Sequence, residues 1–217
     1  MVNAEGRKGN MNDGYTSVLR SISSKTPTPG GGAVAALTLG HSYSLTSMVA
    51  RLTLARDKWI EGHEISNKLL KICEPGINES MVLAQNDCDA FDNVMKAYKL
   101  SKNSNEDIII RKEMILKSSL EATNAPFQIA IAAMELFQLL PELAKNANVN
   151  ALTDLASASE LLNSSIYIAS LNVKINIDSI TEQEGMKFFD KINYILDKSK
   201  NLNEEIQNII FKRLEWH

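Results

Sequence analysis

Residue types that carry metal binding and disulfide bonding are scarce in this 217-residue chain. The two cysteines, Cys73 and Cys88, are too few for a disulfide framework in a chain of this length. The three histidines, His41, His63 and His217, are far apart, and none has a second histidine or a cysteine at metal-ligand spacing. We therefore predict neither a disulfide scaffold nor a metal site. We expect His41 to be a buried structural histidine.

The chain also lacks an excess of basic residues. Lys and Arg number 23 against 26 Asp and Glu, so the net charge is −3 and no cationic surface points to nucleic acid. The start of the chain lacks the charged-then-apolar pattern of a signal peptide. The most apolar window, about 33 to 50, contains a histidine and several hydroxyl residues, which favours a buried helix over a membrane span. We expect a cytoplasmic protein that binds neither nucleic acid nor membranes.

No run of residues alternates with period two for long enough to indicate a β-sheet. Helical periodicity is frequent instead, and we predict an all-α fold. It should be a multihelical single domain with long buried helices in a bundle-like array over 12–217, after a flexible arm over 1–11. The segment 151–177 is apolar on nearly every face and is expected to be the central, most buried helix. Thr181 and Glu184 fit a capping box that opens the last helix or helix pair.

Prolines and glycines indicate the other helix boundaries. A helix that starts at about Ile60 should stop at Pro75-Gly76, with Asn78 capping the next helix. Pro126 should open a further helix rather than interrupt one.

The stretch Thr26-Pro27-Thr28-Pro29-Gly30-Gly31-Gly32 leads directly into a long helix rich in Ala, Leu and Val. Three glycines can adopt dihedral angles that other residues avoid, and the free amides at the helix start suit a carboxylate or phosphate. Inside the helix, small residues recur at steps of four and three: Gly32, Ala36, Gly40, Ser44 and Ser47. Another helix or a flat ligand can approach such a face closely. A tight packing seam without a ligand site is the alternative.

Two acids and one arginine are the other candidate residues of a functional site. Asp154 lies near the start of the predicted central helix, four residues after Asn150, so both side chains share a face. A carboxylate there must be paired, hydrogen-bonded or shifted in pKa, although a first-turn aspartate satisfied by helix amides is an equal alternative. Asp87, four residues before Phe91, is either functional or an exposed helix charge. Arg51 could neutralise acidic groups on a ligand.

Several blocks carry a resemblance to a known family, in the family's order over most of the chain. They are Thr26 to Gly32 with its helix, Met48 to Thr53, Asp87 with Ala90-Phe91, Ala125-Pro126, Asn148 to Leu155 and Leu171-Asn172-Val173-Lys174-Ile175-Asn176. They resemble the cyclodeaminase/cyclohydrolase proteins of folate metabolism. This family includes the cyclodeaminase part of formiminotransferase-cyclodeaminase and the stand-alone methenyltetrahydrofolate cyclohydrolases. The resemblance implies a multihelical homodimer that binds a reduced folate near the glycine loop and needs no cofactor.

The two family reactions act on the N5/N10 bridge of tetrahydrofolate through a tetrahedral carbon beside a delocalised positive charge. Under the resemblance, Asp154 stabilises this cation, Asp87 transfers a proton and Asn150 orients the substrate. Gly30, Gly31, Gly32 and Arg51 would hold the pterin or the glutamyl carboxylates. Cyclohydrolase and cyclodeaminase activity remain equal alternatives. This chain has Ala147-Asn148-Val149-Asn150 where the family tends to have Gly-Asn-Pro-Asn. A non-catalytic folate-binding or scaffold protein of the same fold is therefore a third alternative.

Overall fold

The structure, a computed structural model, describes residues 14–216. Within that range it contains no β-strand, and five of its helices are 24 to 36 residues long. The elements are α1 (Tyr15–Ile22), α2 (Gly31–Leu54), a 3-10 helix (Asp57–Gly62), α3 (His63–Tyr98), α4 (Asn105–Phe137), α5 (Leu140–Asn146), a 3-10 helix (Val149–Ala151), α6 (Leu152–Asn176), a 3-10 helix (Ile177–Ser179) and α7 (Glu182–Arg213). The all-α prediction is confirmed. The predicted arm at 1–11 lies outside the described residues.

Helices α2 and α6 form the centre of the bundle and run antiparallel. Helix α3 packs on α2, α4 covers α3 and α6, and α7 packs on the far side of α6. The direction is fixed by two contacts: Ser165 Oγ donates to the Ala35 carbonyl at 2.8 Å, and the Asn148 amide donates to Thr53 Oγ1 at 3.0 Å. The predicted helix at 151–177 is therefore central, as expected. It is not the most buried helix, because 13 of 24 residues are buried in α2 and 10 of 25 in α6.

The small-residue face of α2 packs against α3, which confirms the predicted close approach. A Cβ added at Gly40 would lie 2.5 Å from Ser80 Oγ. On the opposite helix, a Cβ added at Gly76 would lie 2.7 Å from Cζ of Tyr43. Glycines on both helices thus bring the two backbones together, and this explains why α2 buries so much of its surface.

Both predicted proline boundaries are wrong. Helix α3 continues through Pro75, and α4 continues through Pro126. A proline inside a helix leaves the carbonyl four residues earlier without its usual donor. For Pro126 that carbonyl belongs to Ala122, and Nδ2 of Asn176 donates to it at 2.7 Å. A side chain of α6 thus replaces the missing backbone donor, so tertiary contacts stabilise a helix that local sequence alone would end.

The other sequence predictions have mixed outcomes. Thr181 is the N-cap of one helix, since its Oγ1 accepts a hydrogen bond from the Glu184 amide at 3.4 Å. The Glu184 side chain accepts from the Thr181 hydroxyl at 2.9 Å, so the predicted capping box is confirmed only for its threonine. His41 is exposed rather than buried, and its Nε2 lies 3.3 Å from the Tyr15 hydroxyl. Cys73 and Cys88 are both free thiols.

One segment of the described residues, 105–146, contains a window that is long and apolar enough to cross a membrane. Within the structure 56% of that window is buried against the other helices. Such burial is typical of a core helix, which passes the same test of length and composition.

The α2–α3 contact leads to a stability prediction. We expect Gly76→Ala to lower the free energy of unfolding by about 1–3 kcal/mol, because the new methyl group overlaps the Tyr43 ring. Gly185→Ala is the matched control: its site is also buried and helical, but the nearest atom to an added Cβ is 3.4 Å away. The control should be neutral or stabilising by up to about 1 kcal/mol. Urea denaturation of both variants measures this, and equal stabilities would contradict the packing account.

Candidate functional site

The glycine loop forms the start of α2, with Gly30 as its N-cap residue. Gly30 provides no capping side chain, so the first amides of the helix depend on other groups. The three glycines can adopt dihedral angles that other residues avoid, but the loop does not use this freedom. Among the described glycines only Gly14 has a positive φ. The loop needs glycine for space: a Cβ at Gly32 would overlap the carboxyl group of Asp87, and one at Gly31 would lie 3.2 Å from Nδ2 of Asn172.

Asp87 projects from α3 to the start of α2. Its carboxylate accepts a hydrogen bond from the Ala33 amide, the third residue of α2. Asp87 therefore caps α2 from a neighbouring helix, in place of the side chain that Gly30 lacks. Burial raises the pKa of the Asp87 carboxyl, and the Ala33 hydrogen bond lowers the pKa by less. The alternative that Asp87 is simply an exposed helix charge does not fit, because the carboxyl is half-buried against Gly32.

Asn172 lies on the other side of the glycine loop. It projects from the last turns of α6, is half-buried, and donates from Nδ2 to the Ile168 carbonyl at 2.9 Å. The absence of a side chain at Gly31 lets this amide reach the loop. Asn172 was missed as a site residue. Its signal in the sequence is a polar amide in an apolar helix, inside one of the blocks that carries the resemblance.

A cleft of about 450 Å³ opens beside this group of residues. It is lined by α1, Thr28-Pro29, the first turns of α2 and the middle of α3, and Ala33 and Cys88 connect it to Asp87. A volume of roughly 300–1,000 Å³ is usual for a site that binds a small molecule. No group of three His, Cys, Asp or Glu side chains in residues 14–216 lies close enough to hold a metal ion.

The other predicted site residues lie at the opposite end of the bundle. Arg51 is 20 residues after Gly31 along α2, about 30 Å away, and pairs with Glu74 at 2.8 Å while both side chains are 57% exposed. Asn150 is exposed, and its backbone amide donates to Asn148 Oδ1 at 3.1 Å. Asp154 is half-buried in the first turn of α6.

The antiparallel packing of α2 and α6 separates the two acids. Asp154 is 18 residues before Asn172, and at 1.5 Å per residue this places it about 27 Å from the glycine loop along α6. In one protomer, Asp87 and the three glycines therefore come together, whereas Asp154, Asn150 and Arg51 do not join them. A common reaction centre for the two acids requires a second subunit, and it stays a prediction.

A family described as formiminotransferase-cyclodeaminase matches residues 15–207. The methenyltetrahydrofolate cyclohydrolase of Methylorubrum extorquens is 28% identical over 204 residues, which is 92% of this chain and 96% of that protein. The formimidoyltransferase-cyclodeaminase of Mus musculus is 27% identical over 84% of this chain. That protein is longer, and the match covers 34% of its length.

A crystal structure of formiminotetrahydrofolate cyclodeaminase from Thermotoga maritima has the same fold. It aligns with a TM-score of 0.76 at 24% identity and covers 93% of this chain and 95% of the other. At this identity the likeness establishes the shared fold.

Proposed function

We propose that this chain, which belongs to the formiminotransferase-cyclodeaminase family, acts on the one-carbon bridge between N5 and N10 of tetrahydrofolate. The reaction is that of a methenyltetrahydrofolate cyclohydrolase or of a formimidoyltetrahydrofolate cyclodeaminase. Support comes from relatives with both names, one of which matches this chain over nearly its full length. The observation that carries the proposal is the half-buried Asp87 carboxyl, which accepts a hydrogen bond from the Ala33 amide in the first turn of α2, beside a cleft of suitable size.

The chemistry requires a group that exchanges protons beside a cationic carbon. In the cyclohydrolase reaction, water adds to the methenyl carbon and its oxygen loses both protons, one to solvent and one that ends on N5 as the bond between N5 and carbon breaks. In the cyclodeaminase reaction, N10 attacks the formimino carbon, and the imino nitrogen gains the proton of N10 and one proton from solvent before it leaves as ammonia. Asp87 suits both transfers, because burial raises the pKa of its carboxyl group. In the ionised form it is then a stronger base that can accept a proton, and in the protonated form it can donate one.

The loop itself supplies binding groups. The amides at the start of α2 are oriented towards an anionic part of the substrate, such as a glutamyl carboxylate or a polarised pterin oxygen. Asn172 lies at the same loop and offers an amide to the pterin. We further propose that the protein works in the cytoplasm as a homodimer and needs no cofactor besides its folate substrate.

The role of Asp87 gives the first functional prediction. Asp87→Asn should keep the fold, since an amide oxygen still accepts the Ala33 hydrogen bond, and should lower kcat by about 10²–10⁴-fold. The exposed Asp89 on the same helix gives the control Asp89→Asn, which should keep wild-type turnover. The measurement is loss of the methenyl chromophore, with ammonia release from formimino-tetrahydrofolate assayed in parallel. An undiminished kcat in Asp87→Asn would show that Asp87 is not the proton-transfer group.

The same pair of assays decides between the two reactions. Turnover of the methenyl substrate alone identifies a cyclohydrolase, and ammonia release alone identifies a cyclodeaminase. Tight binding of both folates with neither turnover would instead support the non-catalytic alternative and overturn the proposed activity.

A subunit-mixing experiment tests whether Asp154 acts at a partner's glycine loop. If it does, Asp87→Asn and Asp154→Asn are each nearly inactive, yet their mixture contains heterodimers with one intact site. Random re-association should then restore activity to about a quarter of the wild-type value. Mixing two preparations of Asp87→Asn is the control and should restore nothing. Full activity of Asp154→Asn by itself would exclude a catalytic role for this residue.

A further inference from the structure

A second cavity continues the cleft beside Asp87 along the seam between α2 and α3. It has a volume of about 230 Å³ and lies under α1, on the side away from the glycine loop. Val18 of α1, Leu37 of α2 and Met81 of α3 line both cavities, so the two spaces meet at these side chains. We call the combined space the α1 groove.

Helix α1 forms the roof of the α1 groove without filling it. No residue of α1 is buried, and Val18 is 37% exposed although it lines both cavities. Met81, on the α3 wall of the groove, is 48% exposed. Apolar side chains that line an open space of this kind can hold a flat apolar group such as an aromatic ring.

The far end of the groove carries hydrogen-bonding groups. His41 lines it, and its Nδ1 lies 2.7 Å from the Leu37 carbonyl, which can only accept, so Nδ1 carries a hydrogen. Nε2 of the same ring lies 3.3 Å from the Tyr15 hydroxyl. A protonated His41 donates from Nε2, and the Tyr15 hydroxyl can donate as well, so the two side chains can hold a carboxylate. Among the described residues no Asp or Glu lines this cavity, so its wall has no acid that would repel an anion.

The separation of Asp87 and His41 matches the length of a folate tail. Asp87 is level with Gly32, and His41 follows Gly32 by nine residues on α2, so the two ends are about 13 Å apart along the helix. Beyond N10, a folate consists of a benzoyl ring, an amide and a glutamyl group. Extended, this tail spans three to four residue lengths, or about 10–14 Å. With the one-carbon bridge at Asp87, the ring would lie beside Val18 and the glutamyl carboxylates would reach His41.

We propose that the α1 groove binds the p-aminobenzoylglutamate tail of the folate substrate, with His41 and Tyr15 holding a glutamyl carboxylate. This inference rests on the proposed function and adds the direction of the substrate, with the pterin at the glycine loop and the tail under α1. It gives a role to α1 and His41, which the proposed chemistry does not use.

The test compares two stable ligands that differ only in the glutamyl group. They are 5-formyl-tetrahydrofolate and the methylamide of 5-formyl-tetrahydropteroate, whose tail ends after the amide. In calorimetry the wild type should bind the first about 10-fold more tightly, because its carboxylate gains a charge-assisted hydrogen bond. His41→Ala should reduce this preference to less than about 2-fold. The methylamide is the internal control for any disturbance of α1, since its Kd should not change in the variant.

A second pair of variants tests the position of the benzoyl ring. Val18→Trp fills the groove and should weaken the binding of both ligands by at least about 10-fold. Leu19→Trp is the matched control, because Leu19 is the next residue of α1, is 49% exposed and lines neither cavity. It should leave both Kd values unchanged. Circular dichroism should show wild-type helix content in both variants.

The outcomes separate this inference from the proposed function. Equal affinity of the wild type for the two ligands, or an unchanged preference in His41→Ala, would overturn the inference and leave the proposed function intact. Binding of both ligands by Val18→Trp as tightly as by the wild type would do the same. Failure of the wild type to bind either ligand would overturn the proposed function and this inference together.

Discussion

The contact between Gly32 and Asp87 determines how the candidate site is built. Helix α3 can carry its acid to the start of α2 only because Gly32 has no side chain, and the Ala33 amide then donates a hydrogen bond to the Asp87 carboxylate. The same interaction gives one first-turn amide a partner in a helix whose own N-cap is glycine. Structural capping and a carboxyl suited to proton transfer thus come from one contact, so their effects in mutants need separate measurements of stability and turnover.

Sequence patterns predict the architecture well where a pattern is long. The small-residue face of α2, the apolar helix at 151–177 and the Thr181 N-cap are all present in the structure. Local rules for helix ends fail where contacts with distant residues stabilise the helix. Pro75 and Pro126 would end isolated helices, yet α3 and α4 continue through them, and Asn176 supplies the donor that Pro126 lacks. That donor comes from a residue 50 positions later, which no local pattern reveals.

The site was only partly predictable for the same reason. Asp87 and the glycines were both candidates in the sequence, but only the structure shows that they are neighbours, with the Asp87 carboxyl against Gly32. Asp154 could not be placed relative to them, because sequence alone does not give the direction in which α6 crosses α2. Once Ser165 pairs with Ala35, the helices are antiparallel and Asp154 lies at the far end. The protomer therefore brings Asp87 and the glycine loop together and leaves Asp154 at the other end of the bundle.

The most direct measurement is the titration of the Asp87 carboxyl by ¹³C NMR, with Asp87→Asn used to assign its signal. We predict a pKa above the ordinary 3.8, because burial against Gly32 outweighs the Ala33 hydrogen bond. The folded state then holds this proton more tightly than the unfolded state, so the contribution of Asp87 to the free energy of unfolding falls as the pH rises from 3.8 through the raised pKa. A pKa at or below 3.8 would contradict the account of a desolvated carboxyl held by close helix packing.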